Sequence, residues 1–172
     1  MNRVGATEGL VVLARVVAGR AEQARAAIAA LPVDPSPFAS VDGTSLARLQ
    51  VLRPPRRRLT ARRPREHLLW AVDVDAPLDG WLARACERIG PQLDDVFGHC
   101  AFWPGAETPA AVARWVAANR LAIGFSVIGS PQASVAEIAE ALKARAQLGD
   151  FARGAQGLDD AELHDAWMEF RP

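Results

Sequence analysis

The sequence predicts an α+β fold: an antiparallel sheet with helices packed on one face. Four stretches alternate in parity at the two-residue strand period, five others repeat apolar residues at helical spacing, and the two kinds are interleaved along the chain. With 172 residues, half of them hydrophobic, one domain over 1–172 with a core of its own is expected.

Residues 9–17 (GLVVLARVV) form the first predicted strand. A helix follows over 20–31 (RAEQARAAIAAL), with Ala21, Ala24, Ile28 and Leu31 on one side and Pro32 ending it. Pro35, Pro37 and Asp42-Gly43 mark a loop before the second strand, 45–53 (SLARLQVLR). The third strand is 67–75 (HLLWAVDVD). Between them lies a Pro- and Arg-rich segment, 53–66 (RPPRRRLTARRPRE), where a hairpin needs only a few residues; it reads as an inserted loop. Asp75 can cap the next helix, whose stripe is Leu78, Trp81, Leu82, Ala85, Cys86 and Ile89, with Gly90-Pro91 as the stop. Residues 92–96 then form a turn into a fourth strand, 97–103 (FGHCAFW). A helix over 109–119, a fifth strand over 121–128 (LAIGFSVI), a helix over 135–148 with a Ser134/Glu137 capping box, and a docking helix over 158–170 complete the chain.

Successive strand residues point to opposite faces, so each strand sorts by parity. One side collects Leu10, Val12, Ala14, Val16, Ala47, Leu49, Val51, Leu68, Trp70, Val72, Val74, Cys100 and Phe102 and is wholly apolar. That side takes the helices. The other gathers Arg15, Arg48, Gln50, His67, Asp73 and His99 among apolar neighbours, which is the pattern of a small-molecule cleft.

The first six elements run β-α-β-β-α-β, the ferredoxin-like order. Its antiparallel sheet carries helices on one face only, so the second face needs a cover. A homodimer closing an α+β barrel supplies one, and internal pairing with the last 50 residues supplies another. The fifth strand and the C-terminal helices extend the core in either case.

Within 40–104 three words stand out: Gly43-Thr44-Ser45-Leu46-Ala47-Arg48, Val72-Asp73-Val74-Asp75, and 93–100 (LDDVFGHC). They resemble a family of small bacterial proteins with a ferredoxin-like core, whose pattern is a Gly-Thr-His-Phe-Ala-Arg strand, a strand ending near Asp-Gly, and an Asp-rich turn before His-Cys. Ser45 stands where that family has histidine. The architecture is similar to the dimeric α+β barrel superfamily, which includes antibiotic-biosynthesis monooxygenases, related cyclases, EthD-like proteins and haem-binding dye-decolourising peroxidases. The resemblance implies secondary metabolism and a homodimer, with cofactor-independent oxygenation, cyclisation or isomerisation of a hydrophobic carbonyl or enol substrate. A non-catalytic ligand-binding or accessory protein of a biosynthetic cluster is the alternative, and a haem-binding peroxidase-like protein is a third reading.

On that reading His99 moves the proton, since imidazole titrates near neutral pH. Arg48 and Gln50 hold an enolate or carboxylate oxygen, because a guanidinium among apolar groups needs an anionic partner. Asp73 pairs with His99 or neutralises an arginine, and Arg15 adds a second cation. Asp95 orients His99, while Phe97, Trp103 and Trp70 shape the pocket. His67 and Asp73 lie six residues apart on one strand, roughly 20 Å, and cannot touch.

Composition narrows the rest. Lys plus Arg equals Asp plus Glu at 20 each, for zero net charge. Segment 53–66 holds seven arginines and one acid, +6, which leaves −6 for the remainder. Without interleaved aromatics this basic run is not a nucleic-acid signature. No metal is expected, because His/Cys ligand spacings are missing, and no cofactor is expected either. Haem would need an axial ligand such as His99, and the Gly-x-x-Asp-Gly word of the dye-decolourising peroxidases is absent. Cys86 and Cys100 read as free, buried thiols. No apolar run reaches the roughly 20 residues of a membrane helix, and the start reads as cytoplasmic.

Overall fold

The computed structural model describes residues 3–53, 65–124, 130 and 132–170. Of the Arg-rich segment, Arg53, Arg65 and Glu66 are therefore described and 54–64 lie outside the described residues. The chain is α+β and divides into two compact units, 1–135 and 136–172.

In the first unit the elements are β1 (Arg3–Val4), β2 (Thr7–Arg15), α1 (Ala21–Ala30), a 3₁₀ turn (Pro37–Ser40), β3 (Thr44–Leu52), β4 (His67–Asp75), α2 (Leu78–Phe97) and α3 (Pro109–Asn119). The strands form one antiparallel sheet in the order β1-β2-β4-β3. Parity sorting holds for the three long strands. Leu10, Val12, Ala14, Leu68, Trp70, Val72 and Val74 are buried beneath helical residues Leu78, Trp81, Leu82, Ala85, Val112, Trp115 and Val116. Burial of each large side chain contributes about 1.5–3 kcal/mol, so this face accounts for much of the core.

α1 stops where Pro32 forces Leu31 out of the helical region, at φ −64°, ψ 130°. α3 starts with Pro109 in its first turn, where a missing N–H costs no hydrogen bond.

The stretch 90–103 departs from the sequence expectation. Gly90-Pro91 kinks α2 at Ile89 (φ −129°, ψ 24°) instead of stopping it, and the helix runs on to Phe97. Leu93, Val96 and Phe97 continue its buried stripe past the proline, and that burial outweighs the lost N–H. The fourth strand is consequently absent: only Cys100 makes a bridge, antiparallel to Val16. The outer edge of β2 is covered in pieces. Val17 N–H donates to the His99 carbonyl (2.9 Å), Ala101 N–H to the Arg15 carbonyl (2.8 Å), and Leu121 N–H to the Val11 carbonyl (2.8 Å). The expected fifth strand is likewise not formed over 121–124, and 125–128 lie outside the described residues.

α4 (Val135–Gly154), whose first residue belongs to the first unit, and α5 (Asp160–Glu169) are joined by a turn in which Gly157 takes φ +93°, a conformation that favours glycine. Asp159 caps α5 by accepting from Ala161 and Glu162 N–H, and Glu162 accepts from Asp159 N–H in return. Phe151 stacks near Phe170 (4.8 Å) and meets Trp167 edge-on (5.5 Å). No residue of α4 or α5 is buried.

Candidate functional site

The face of the sheet away from the helices can be laid out from the strand register. Gly9, Asp73 and Leu46 form one row; Val11, Ala71 and Arg48 the next; then Leu13, Leu69 and Gln50; and last Arg15, His67 and Leu52. The middle of this face is apolar and half-buried, through Val11, Leu13, Leu69 and Ala71. At the Asp73 end Thr7 and Gly9 are buried, and Asp75 accepts the Val135 N–H at 3.0 and 3.2 Å. Asp75 is thus a backbone acceptor, but not the cap of α2.

Arg48, Gln50 and Asp73 share this face, as the parity predicts, but Gln50 lies two rows from Asp73, roughly 13 Å along the strand. Arg48 lies on β3 one row from Asp73, a diagonal neighbour at roughly 7–8 Å. Arg48 and Gln50 are exposed and Asp73 half-buried. Among the described residues Arg48 and Asp73 form no ion pair, with each other or with anything else.

His99 does not join them. It sits in the loop after α2, with its carbonyl on Val17 N–H. Asp73 stands opposite Gly9, eight residues earlier on the same strand line, so roughly 26 Å separates the two positions. The carboxylate–histidine pair expected from the sequence is therefore not formed. Among the described residues the buried His99 Nδ1 has no hydrogen-bond partner, and Asp95 is exposed on α2. Phe97 is fully buried, packed against Trp70 (5.0 Å), Trp103 (5.1 Å) and Trp115 (5.6 Å), so Phe97 and Trp103 belong to the core side and not to a ligand cleft.

Arg15 lies in the last row beside His67, exposed, three rows from Asp73. There the chain leaves β2, and a cleft of about 530 Å³ opens between Arg15–Gly19 and Arg65–Glu66. Glu66 is held by Arg25 (2.8 Å) and Arg53 (3.1 Å), and Arg25 and Arg53 both reach Glu22 as well, at 2.7 and 3.3 Å. The hydrogen bond from Arg25 keeps the Glu66 carboxyl below its ordinary range, and Glu66 raises Arg25 in return. This network ties both ends of the Arg-rich segment to α1.

Three polar contacts escaped the sequence reading. Glu8 is buried and accepts the Leu78 N–H at the start of α2 (3.1 Å), with Arg120 at 3.5 Å. Its signal was available: carrying the parity of Leu10 and Val12 back two residues places Glu8 on the core side. Asp94 Oδ1 accepts from Trp103 Nε1 (2.7 Å) and Ala106 N–H (2.8 Å), fixing the loop that carries His99. Thr44 Oγ1 accepts from Trp81 Nε1 (2.9 Å) and donates to the Val41 carbonyl (2.6 Å).

Burial pushes the Cys100 thiol up to about 12, and burial with Asp94 nearby raises Cys86. Neither is a nucleophile near neutral pH. Among the described residues no group of three His, Cys, Asp or Glu side chains is placed to hold a metal ion, and no helix is long and apolar enough to cross a membrane. No family model matches the chain, and no curated protein or solved structure is significantly similar to it.

Proposed function

We propose that the chain binds a small hydrophobic molecule bearing a carbonyl or enol oxygen on the second face of its sheet, and that a second copy closes over that face. The observation that carries this is the face itself: an apolar, partly exposed centre (Val11, Leu13, Leu69, Ala71) with Arg48 and Gln50 along its β3 side and Asp73 at one end. Arg48 and Gln50 donate to the ligand oxygen, and Asp73 accepts from a hydroxyl. The three long strands keep the relative order of a ferredoxin-like sheet, with the Cys100 bridge where its fourth strand would run. A face-to-face dimer would make this an α+β barrel, in line with the resemblance to that superfamily.

The arrangement favours binding over turnover. His99, the histidine that a cofactor-independent oxygenase, cyclase or isomerase would use here as proton carrier, lies in the loop after α2, beyond the far end of β2 from Asp73. The reading is therefore a ligand-binding or accessory protein of a biosynthetic cluster.

Its test is a titration of the full chain with emodin, a polyketide-like aromatic without a carboxylate, followed by absorbance and tryptophan quenching. Saturable binding, weakened about tenfold in Arg48→Ala, supports the reading; losing one charge-assisted hydrogen bond costs about 1.5–3 kcal/mol. Binding indifferent to Arg48→Ala and to Leu69→Glu overturns it.

A further inference from the structure

We propose that the cleft between the end of β2 and the start of β4 is a separate binding site, taking an oxyanion carried on a small molecule with a short apolar body. It stands independently of the reading given for the sheet face, because it rests on a different set of residues.

Among the described residues Arg15, Arg65 and Glu66 line this cleft, and Arg25, Arg53 and Glu22 tie into its wall through Glu66. Arg25 and Arg53 are each held by both glutamates. Arg15 and Arg65 line the cleft and make no ion pair or side-chain hydrogen bond among the described residues. Two arginines thus line the same cleft with no acidic partner among the described residues. Glu66, the one acid among the described lining residues, already has two cationic partners, Arg25 and Arg53.

The shape agrees with a small ligand. A volume of about 530 Å³ lies within the roughly 300–1,000 Å³ typical of small-molecule clefts. Val17, 40% exposed, offers an apolar wall beside Arg15. The floor is the turn Val17–Arg20, closed by Arg20 N–H on the Val17 carbonyl (3.0 Å), with Gly19 at φ +82°. A Cβ on Gly19 would have no atom within 4 Å, so the turn borders open space. Carboxylate and phosphate share the chemistry that two guanidinium forks recognise.

Chemical-shift mapping of the ¹⁵N-labelled full chain at about 20 mM ionic strength tests this, with inorganic phosphate and hexanoate as separate probes. Low salt is required because exposed ion pairs are screened. The expected result is saturable shifts at the Ala18 and Gly19 amides with at least one probe. Affinity falls at least fivefold in Arg15→Gln and in Arg65→Gln, and stays unchanged in Arg88→Gln, an exposed arginine on α2. Tighter phosphate assigns a phosphorylated ligand; tighter hexanoate assigns a carboxylic acid. The dispersion of each variant's spectrum reports its fold. No saturable shift with either probe, binding that survives both substitutions, or equal loss in Arg88→Gln overturns the site. Emodin binding dependent on Arg48 leaves this result untouched, so the two sites fail separately.

Discussion

The Glu8 carboxylate accepts the backbone N–H of Leu78, seventy residues later, at 3.1 Å, and so caps α2 from within the sheet. A helix start leaves its first N–H groups without intrahelical partners, and here a strand side chain supplies the acceptor. Arg120 stands 3.5 Å from the same carboxylate, so one buried group joins β2, α2 and the end of α3. Glu8→Ala is expected to cost about 2 kcal/mol, more than an exposed cap, because it strands a buried N–H. Glu8→Gln keeps the acceptor and is expected to cost less. Urea unfolding of the two variants checks the order.

Trp70 and Trp81 lie 6.0 Å apart in the core, yet among the described residues only Trp81 has a partner for its indole N–H, the Thr44 hydroxyl. Replacing Trp81 by Phe removes a hydrogen bond; replacing Trp70 by Phe removes an unpaired buried donor. Trp81→Phe is therefore expected to destabilise by about 1 kcal/mol more than Trp70→Phe. Equal midpoint shifts in urea would contradict this.

The Glu66 network carries a pH dependence of known sign. Its folded carboxyl titrates below its ordinary value of 4.5, so the protons released on folding make stability greater above that value. The contribution is lost as pH falls from 4.5 through the folded value. Stability measured from pH 6 to pH 3 is expected to fall more steeply in the wild type than in Glu66→Gln. Parallel profiles would show that the network contributes nothing.

Both cysteines are buried with raised thiols, Cys100 at about 12. A disulfide-exchange reagent at pH 8 is expected to find no fast thiol in the native protein and two after unfolding in urea. One fast thiol in the native state would place Cys86 or Cys100 at the surface.

Much of this fold was legible because strand parity is a strong signal when one face is buried. Leu68, Trp70, Val72 and Val74 follow one another at period two and are all buried. The same device failed at 97–103. FGHCAFW alternates acceptably, but its Phe97 completes the stripe of Leu93 and Val96 on a helix. A short apolar run fits either period, and Gly90-Pro91 gave a stop signal that packing overrode. The site suffered for that reason. Arg48, Gln50 and Asp73 sit on true strands and were placed correctly, whereas His99 took its face from a strand that does not form. Long-range contacts such as Glu8 with Leu78 or Arg25 with Glu66 carry no local spacing by which a sequence could announce them.

The second sheet face is the centre of the account, and the mass of the protein in solution tests it most directly. Sedimentation equilibrium is expected to give twice the 18.5 kDa chain mass for the wild type, and the single-chain mass for Leu69→Glu, whose charge would stand in the apolar centre of that face. A wild-type protein that sediments at 18.5 kDa, with Leu69→Glu binding emodin as the wild type does, would contradict the account.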